Sequence, residues 1–136
     1  EIVGANCAGL SQCRMVLVED NRDVRSVLEE LLCTMQFTVQ AHASAEEAWV
    51  SVKGSCPEAR DVYVLDIRLP GKSGVELAHQ ILAEQPKVRI LFMSGDEQEH
   101  TMDQFIEHPR VGFMRKPINM EILRKALLGV GIKQQE

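Results

Sequence analysis

The chain reads as an α/β domain built on a parallel sheet. From Met15 onward, short apolar runs alternate with stretches of helical period, most of those runs are continuous rather than alternating, and the residues just after them are acids, a hydroxyl and a lysine. A chain of 136 residues fits one domain, able to bury roughly two thirds of its unfolded surface without disulfides or metal.

The elements follow in order. Residues 1–13 are small and polar and are expected to be a leader or linker, with the domain over 14–130 and a tail over 131–136. Met15-Val16-Leu17-Val18 is the first strand. Val24, Val27, Leu28, Leu31, Leu32 and Met35 then recur at i, i+3, i+4, i+7, i+8 and i+11, one face of a helix. In the run Phe37-Thr38-Val39, polar Thr38 and Gln40 flank Val39, which suits an edge strand. Ser44-x-x-Glu47 and Ser73-x-x-Glu76 are capping-box spacings that open the second and third helices around the strand Val62-Tyr63-Val64-Leu65. Ile90-Leu91-Phe92-Met93 is the fourth strand. A weak fourth helix follows, its apolar face only Met102, Phe105 and Ile106 among acids, and such a helix suits a moving part. Val111-Gly112-Phe113-Met114 is the fifth strand, and Asn119 caps a last helix striped by Ile122, Leu123, Ala126, Leu127 and Val130. The expectation is five strands and five helices.

Composition narrows the function. With 15 Lys+Arg against 20 Asp+Glu the net charge is −5, and no basic stripe of the kind that releases counterions from nucleic acid or anionic membrane is present. No apolar run approaches the roughly 18 residues of a bilayer span, and the opening Glu1-Ile2-Val3-Gly4-Ala5 has neither the basic start nor the apolar centre of a secretory signal, so a cytoplasmic chain is expected. Beginning at Glu1 rather than Met, it is expected to be a fragment or processed form. Cys7, Cys13, Cys33 and Cys56 form no C-x-x-C pair and read as reduced thiols. His42, His79, His100 and His108 show no ligand spacing. Gly71-Lys72-Ser73 imitates the end of a P-loop, but the position that requires Gly is Asp66.

Open parallel sheets place ligands beyond the carboxyl ends of their strands. There the sequence puts Glu19-Asp20, Asp66, Ser94 and, one residue further on, Lys116-Pro117. Three carboxylates and one ammonium leave the cluster at −2, and two like charges about 4 Å apart repel by about 4 kcal/mol at an effective dielectric of 20. A divalent cation removes that repulsion, and an all-oxygen donor set suits Mg²⁺ or Mn²⁺ rather than Zn²⁺. A carboxylate held against such a cation and a lysine is a candidate phosphoryl acceptor, with Ser94 able to donate to a phosphoryl oxygen.

In order and spacing, Glu19-Asp20, Val64-Leu65-Asp66-Ile67-Arg68-Leu69-Pro70-Gly71, Phe92-Met93-Ser94-Gly95 and Lys116-Pro117 resemble the motifs of the receiver domains of two-component response regulators, over about Arg14 to Val130. The resemblance implies a flavodoxin-like (βα)5 three-layer sandwich with strand order 2-1-3-4-5. It implies that Asp66 is phosphorylated by a histidine kinase or histidine phosphotransfer protein, and that Asp20, Asp66 and the backbone carbonyl of Arg68 hold Mg²⁺, with Glu19 acting mainly through a bound water. It makes Ser94 and Lys116 the partners of the phosphoryl group and places Phe113 at the aromatic switch position. It also implies a partner face formed by the fourth helix, fifth strand and fifth helix, and often a cis peptide before Pro117. Arg68 and Asp96 lie where the family tunes aspartyl-phosphate lifetime, and a pair between them across the mouth is expected to restrict water.

Bland readings stand beside these. Asp20 or Asn21 could serve only as a cap of the first helix, and Phe113 only as core. Two rival functions also remain open: a degenerate receiver that binds partners without phosphorylation, and a Mg²⁺-dependent phosphatase with an aspartyl nucleophile, although Asp66-Ile67-Arg68 has a cation where that class wants a second acid. The chain is not expected to be a dedicated enzyme beyond gaining and losing a phosphoryl group at Asp66. After the last helix only residues 131–136 remain, so no output domain is expected in this span. The Phe92–Gly95 run and the lead-in lean toward the receiver of a hybrid histidine kinase in a phosphorelay.

Overall fold

A computed structural model describes residues 14–52, 61–95, 105 and 107–132. In chain order the elements are β1 (Arg14–Val18), α1 (Arg22–Thr34), β2 (Thr38–His42), α2 (Ala45–Val52), β3 (Val62–Asp66), α3 (Gly74–Glu84), β4 (Arg89–Ser94), β5 (Val111–Arg115) and α4 (Met120–Gly129). All neighbouring strands pair in parallel, in the order β2-β1-β3-β4-β5. The flavodoxin-like expectation is met, with four helices among the described residues. The weak helix expected between β4 and β5 falls almost wholly outside them, as do the expected leader and most of the expected tail; Phe105 is in place there and buried.

Continuous apolar strands are explained by the two cores they separate. Along β1, Val16 and Val18 face one layer while Met15 and Leu17 face the other, and β3 and β4 divide their residues the same way. The first layer is completed by Ala45, Ala48 and Val52 of α2, Leu77, Ala78 and Ile81 of α3, and Phe105. The second is completed by Leu28 and Leu32 of α1 and Leu123 and Leu127 of α4. Burying each such Leu side chain contributes about 1.5–3 kcal/mol.

Local chemistry sets the ends. Asn21 caps α1 by accepting from Val24 N, and Asn119 caps α4 by accepting from Ile122 N. Ser73 and Glu76 form the full capping box of α3. At α2 the box is displaced by one residue: Glu47 N donates to Ser44 Oγ, but the Glu47 carboxylate accepts from Ala43 N. Two details differ from the sequence reading. The buried stripe of α1 is narrower, since Leu28, Leu32 and Met35 are buried while Val27 is 54% exposed, because the sheet covers only the centre of that face. β2 starts after Phe37 and runs on through His42, because pairing with Arg14–Val18 extends it past the apolar run. It lies at the sheet edge as its polar residues require.

Candidate functional site

The acidic pair leaves the end of β1 under tight backbone control. Glu19 N donates to the His42 carbonyl at 3.1 Å, extending the ladder with β2 by one residue. The Glu19 carboxylate turns inward, 1% exposed, and its Oε2 accepts from Asn21 N at 3.1 Å. Arg25, from the first turn of α1, donates to the Glu19 carbonyl at 2.8 Å and reaches that of Asp20 at 3.5 Å. Asp20 itself is exposed.

Asp66 is the last residue of β3 and 5% exposed. Beyond it Ile67 N continues the ladder to the Met93 carbonyl at 3.1 Å, and Arg68 N donates to Asp66 Oδ1 at 3.1 Å. The chain then doubles back so closely that a Cβ on Gly74 would lie 2.1 Å from the Asp66 carbonyl oxygen. On the far side, Lys116 N donates to the Ser94 carbonyl at 2.8 Å, so the ends of β4 and β5 stay side by side. The peptide bond from Lys116 to Pro117 is cis.

These backbone constraints converge the side chains. Lys116 Nζ lies 2.8 Å from Asp66 Oδ2 and 3.0 Å from Glu19 Oε1, bridging the two buried acids. One ligand oxygen from each of Glu19, Asp20 and Asp66 falls within 4.8 Å of the others. Burial pushes the Glu19 carboxyl above its usual range, against the pull of Lys116 and the Asn21 amide, and the Asp66 charge adds to the rise. Burial alone would lower Lys116, but its hydrogen bonds to Asp66 and Glu19 outweigh that and hold the ammonium above its ordinary value. One lysine against three acids leaves the formal −2 that the sequence arithmetic gave.

The residues fit a hard divalent cation. All donors are oxygens, and among the described residues the buried Glu19 Oε1 is met only by the Lys116 ammonium, which leaves lone-pair capacity on it for a cation or a metal-bound water.

Of the residues picked from the sequence, Glu19, Asp20, Asp66 and Lys116 come together directly. Ser94 joins them through the β4–β5 ladder, and Arg68 through the hydrogen bond that its backbone N–H donates to Asp66 Oδ1. Phe113 is not core: it is 41% exposed on β5, its ring stacked on Phe92 with centroids 5.9 Å apart. Asp96 lies outside the described residues, and with it the expected pair with Arg68. Asn21 does cap α1, but Asp20 remains available to the crevice. Sequence reasoning missed Arg25 and Gly74. The first carried a faint signal, a cation one turn into the helix after an acidic loop; the second carried none, because a close approach of distant backbone is invisible in a linear pattern.

A family model described as "Response regulator receiver domain" matches residues 15–128. The C4-dicarboxylate transport transcriptional regulatory protein DctD of Rhizobium meliloti is 32% identical over 101 residues, which is 74% of this chain and 21% of DctD, so the chain spans about a fifth of that relative. A response regulator receiver domain protein from Clostridium thermocellum superposes with a TM-score of 0.76 at 18% identity, covering 87% of this chain and 94% of that one. The receiver domain from the hybrid histidine kinase CckA superposes with a TM-score of 0.70 at 26% identity, covering 86% and 98%.

Proposed function

This chain belongs to the response regulator receiver family of two-component signalling, and from that premise we propose that Asp66 accepts a phosphoryl group from a phosphohistidine and that its modification switches a partner-binding surface. The observation that carries the proposal is the placement of Asp66 at the end of β3, its carboxylate 2.8 Å from Lys116 Nζ and grouped with those of Glu19 and Asp20.

Asp20, Asp66 and the Arg68 carbonyl would hold Mg²⁺ or Mn²⁺, with Glu19 behind them. Such a cation supplies positive charge that offsets the phosphoryl oxygens. An Asp66 carboxylate oxygen attacks phosphorus, the new O–P bond forms as the N–P bond of the phosphohistidine breaks, and the departing imidazole nitrogen takes up a proton. Lys116 has to leave its bridge to Glu19 in part to follow the incoming charge, and Ser94 donates its hydroxyl to a phosphoryl oxygen. Phe113, stacked outward on Phe92, is the ring whose inward turn would report the change. That turn is a two-state element biased by a local charge.

The donor is a histidine kinase or histidine phosphotransfer protein. The readout is an output domain or protein at the face made by β5, α4 and the segment before β5, with no direct role for nucleic acid. Among the described residues no helix is long and apolar enough to cross a membrane. A cytoplasmic setting is proposed because phosphohistidine donors work there, and the domain proposed runs over 14–130 between a leader and a short tail. The likeness to the CckA receiver supports a hybrid-kinase context, and that to DctD a transcriptional one.

Incubation with acetyl phosphate and Mg²⁺ tests the reading. One stable phosphoryl group per chain, abolished by EDTA and by Asp66→Asn, is the expected result. Rapid multiple turnover points instead to an aspartyl-nucleophile phosphatase, and no modification to a degenerate receiver that acts as a binding module.

A further inference from the structure

The loop from Ile67 to Ser73 carries the Arg68 carbonyl and is tied down at both ends. Ile67 N reaches Met93, Arg68 N reaches Asp66, Gly74 N reaches the Ile67 carbonyl, and Ser73 closes a box with Glu76. The middle of the loop has a different anchor. Glu46, on the first turn of α2, accepts from Lys72 N at 3.0 Å through Oε2. The same oxygen lies 2.9 Å from where a Cβ would stand on Gly71, whose φ of +77° lies in the left-handed region that glycine favours. The Lys72 ammonium turns to Gln80 Oε1, so the hydrogen bond that Glu46 accepts from this residue comes from its backbone, with the Lys72 charge adding a lesser pull.

We propose that Glu46 is a positioning residue for metal binding, holding the loop through Lys72 N so that the Arg68 carbonyl faces the crevice of Asp66. This rests on the receiver reading and adds to it a residue on another helix, outside the acid, hydroxyl and lysine set. Glu46 is exposed and contributes nothing to either core. The Lys72 amide, ahead of all other influences, holds its carboxyl below the ordinary range, which fits an ionised acceptor at neutral pH.

The test is a titration of the uniformly ¹⁵N-labelled protein with MgCl₂, followed by amide shifts. Glu46→Ala should raise the Mg²⁺ dissociation constant about tenfold, the lower end of the range for partners that orient metal ligands from outside. Its thermal midpoint without metal should move by about 2 °C or less, as expected for an exposed contact. Glu46→Gln keeps an acceptor oxygen and should return the affinity to within about twofold of wild type. Wild-type affinity in Glu46→Ala, or no recovery in Glu46→Gln, overturns the proposal, as does a large fall in midpoint, which would mark a merely structural role. If the wild-type chain neither binds Mg²⁺ nor takes a phosphoryl group, the phosphoacceptor reading itself has failed; if it does both and Glu46→Ala binds as well, only this inference has.

Discussion

At Gly74 the first residue of α3 presses against the backbone of Asp66. A methyl group there would stand 2.1 Å from the Asp66 carbonyl oxygen and 3.1 Å from the Ile67 Cα, and both are backbone atoms that cannot swing aside. Gly74→Ala should therefore cost about 2–3 kcal/mol, the upper part of the range for overpacking because the opposing atoms are backbone, and lower the thermal midpoint by roughly 8–12 °C at about 4 °C per kcal/mol. It should also slow acetyl-phosphate labelling, because relief of the clash has to displace the end of β3; a midpoint within about 2 °C of wild type would refute the contact. The residues that line the candidate site, Glu19, Asp20, Asp66, Ser94 and Lys116, were legible because each is a polar group just past an apolar run. Gly74 and Arg25 were not, because what they do depends on which backbone atoms lie opposite them in space.

Single elements show the same division between what a local pattern encodes and what tertiary pairing decides. The start of α4 was readable from Asn119, whose Oδ1 accepts from Ile122 N at 2.8 Å. Asn119→Ala removes that partner, and chemical denaturation should show a loss of about 1 kcal/mol with an unchanged m-value. An unaltered denaturation midpoint would mean that water replaces the cap without cost. Since only four residues separate the end of β5 from the start of α4, a frayed first turn also loosens the link to Lys116. The limits of β2 were misjudged because its pairing with β1, not its own apolar content, carries it to His42. The stripe of α1 was drawn too wide because helical period marks a face without saying how much of it the sheet will cover. Val27 is at its margin.

For the whole molecule, pH draws on groups at both ends of the sheet. Burial first, and Arg14 besides, lowers His42 despite the counter-pull of Glu47; burial and Arg110 lower His108. A depressed histidine stays neutral in the fold while the unfolded chain takes its proton near pH 6.5, so stability is complete above that value and falls as pH drops below it. His108 adds a geometric reason, since its Nδ1 accepts from Arg110 N at 3.2 Å and cannot when protonated. Lys116 acts on the alkaline side: its raised value gives a contribution that is whole below the ordinary lysine range and lost above it. Glu19, raised by burial, favours the fold on acidification, and this is common to every variant that keeps it. Thermal midpoints measured from pH 7 to pH 5.5 should thus fall less in His42→Asn/His108→Asn than in wild type; parallel curves would show that the two rings are not depressed. The fold class came within reach of the sequence because a βαβ alternation admits few arrangements, and the strand order came only through the resemblance to receiver domains. How Lys116 divides itself between two acids did not, because that balance is set by burial.

The ladder bonds that run past the strand ends, from Ile67 to Met93 and from Lys116 to Ser94, make the crevice a property of alignment rather than of loop length. Insertions in the connections could lengthen the chain without disturbing the reactive groups. A slip of β4 by one residue against β3 could not be absorbed: it would carry the Ser94 hydroxyl about 3.3 Å along the strand and turn it to the opposite side of the sheet.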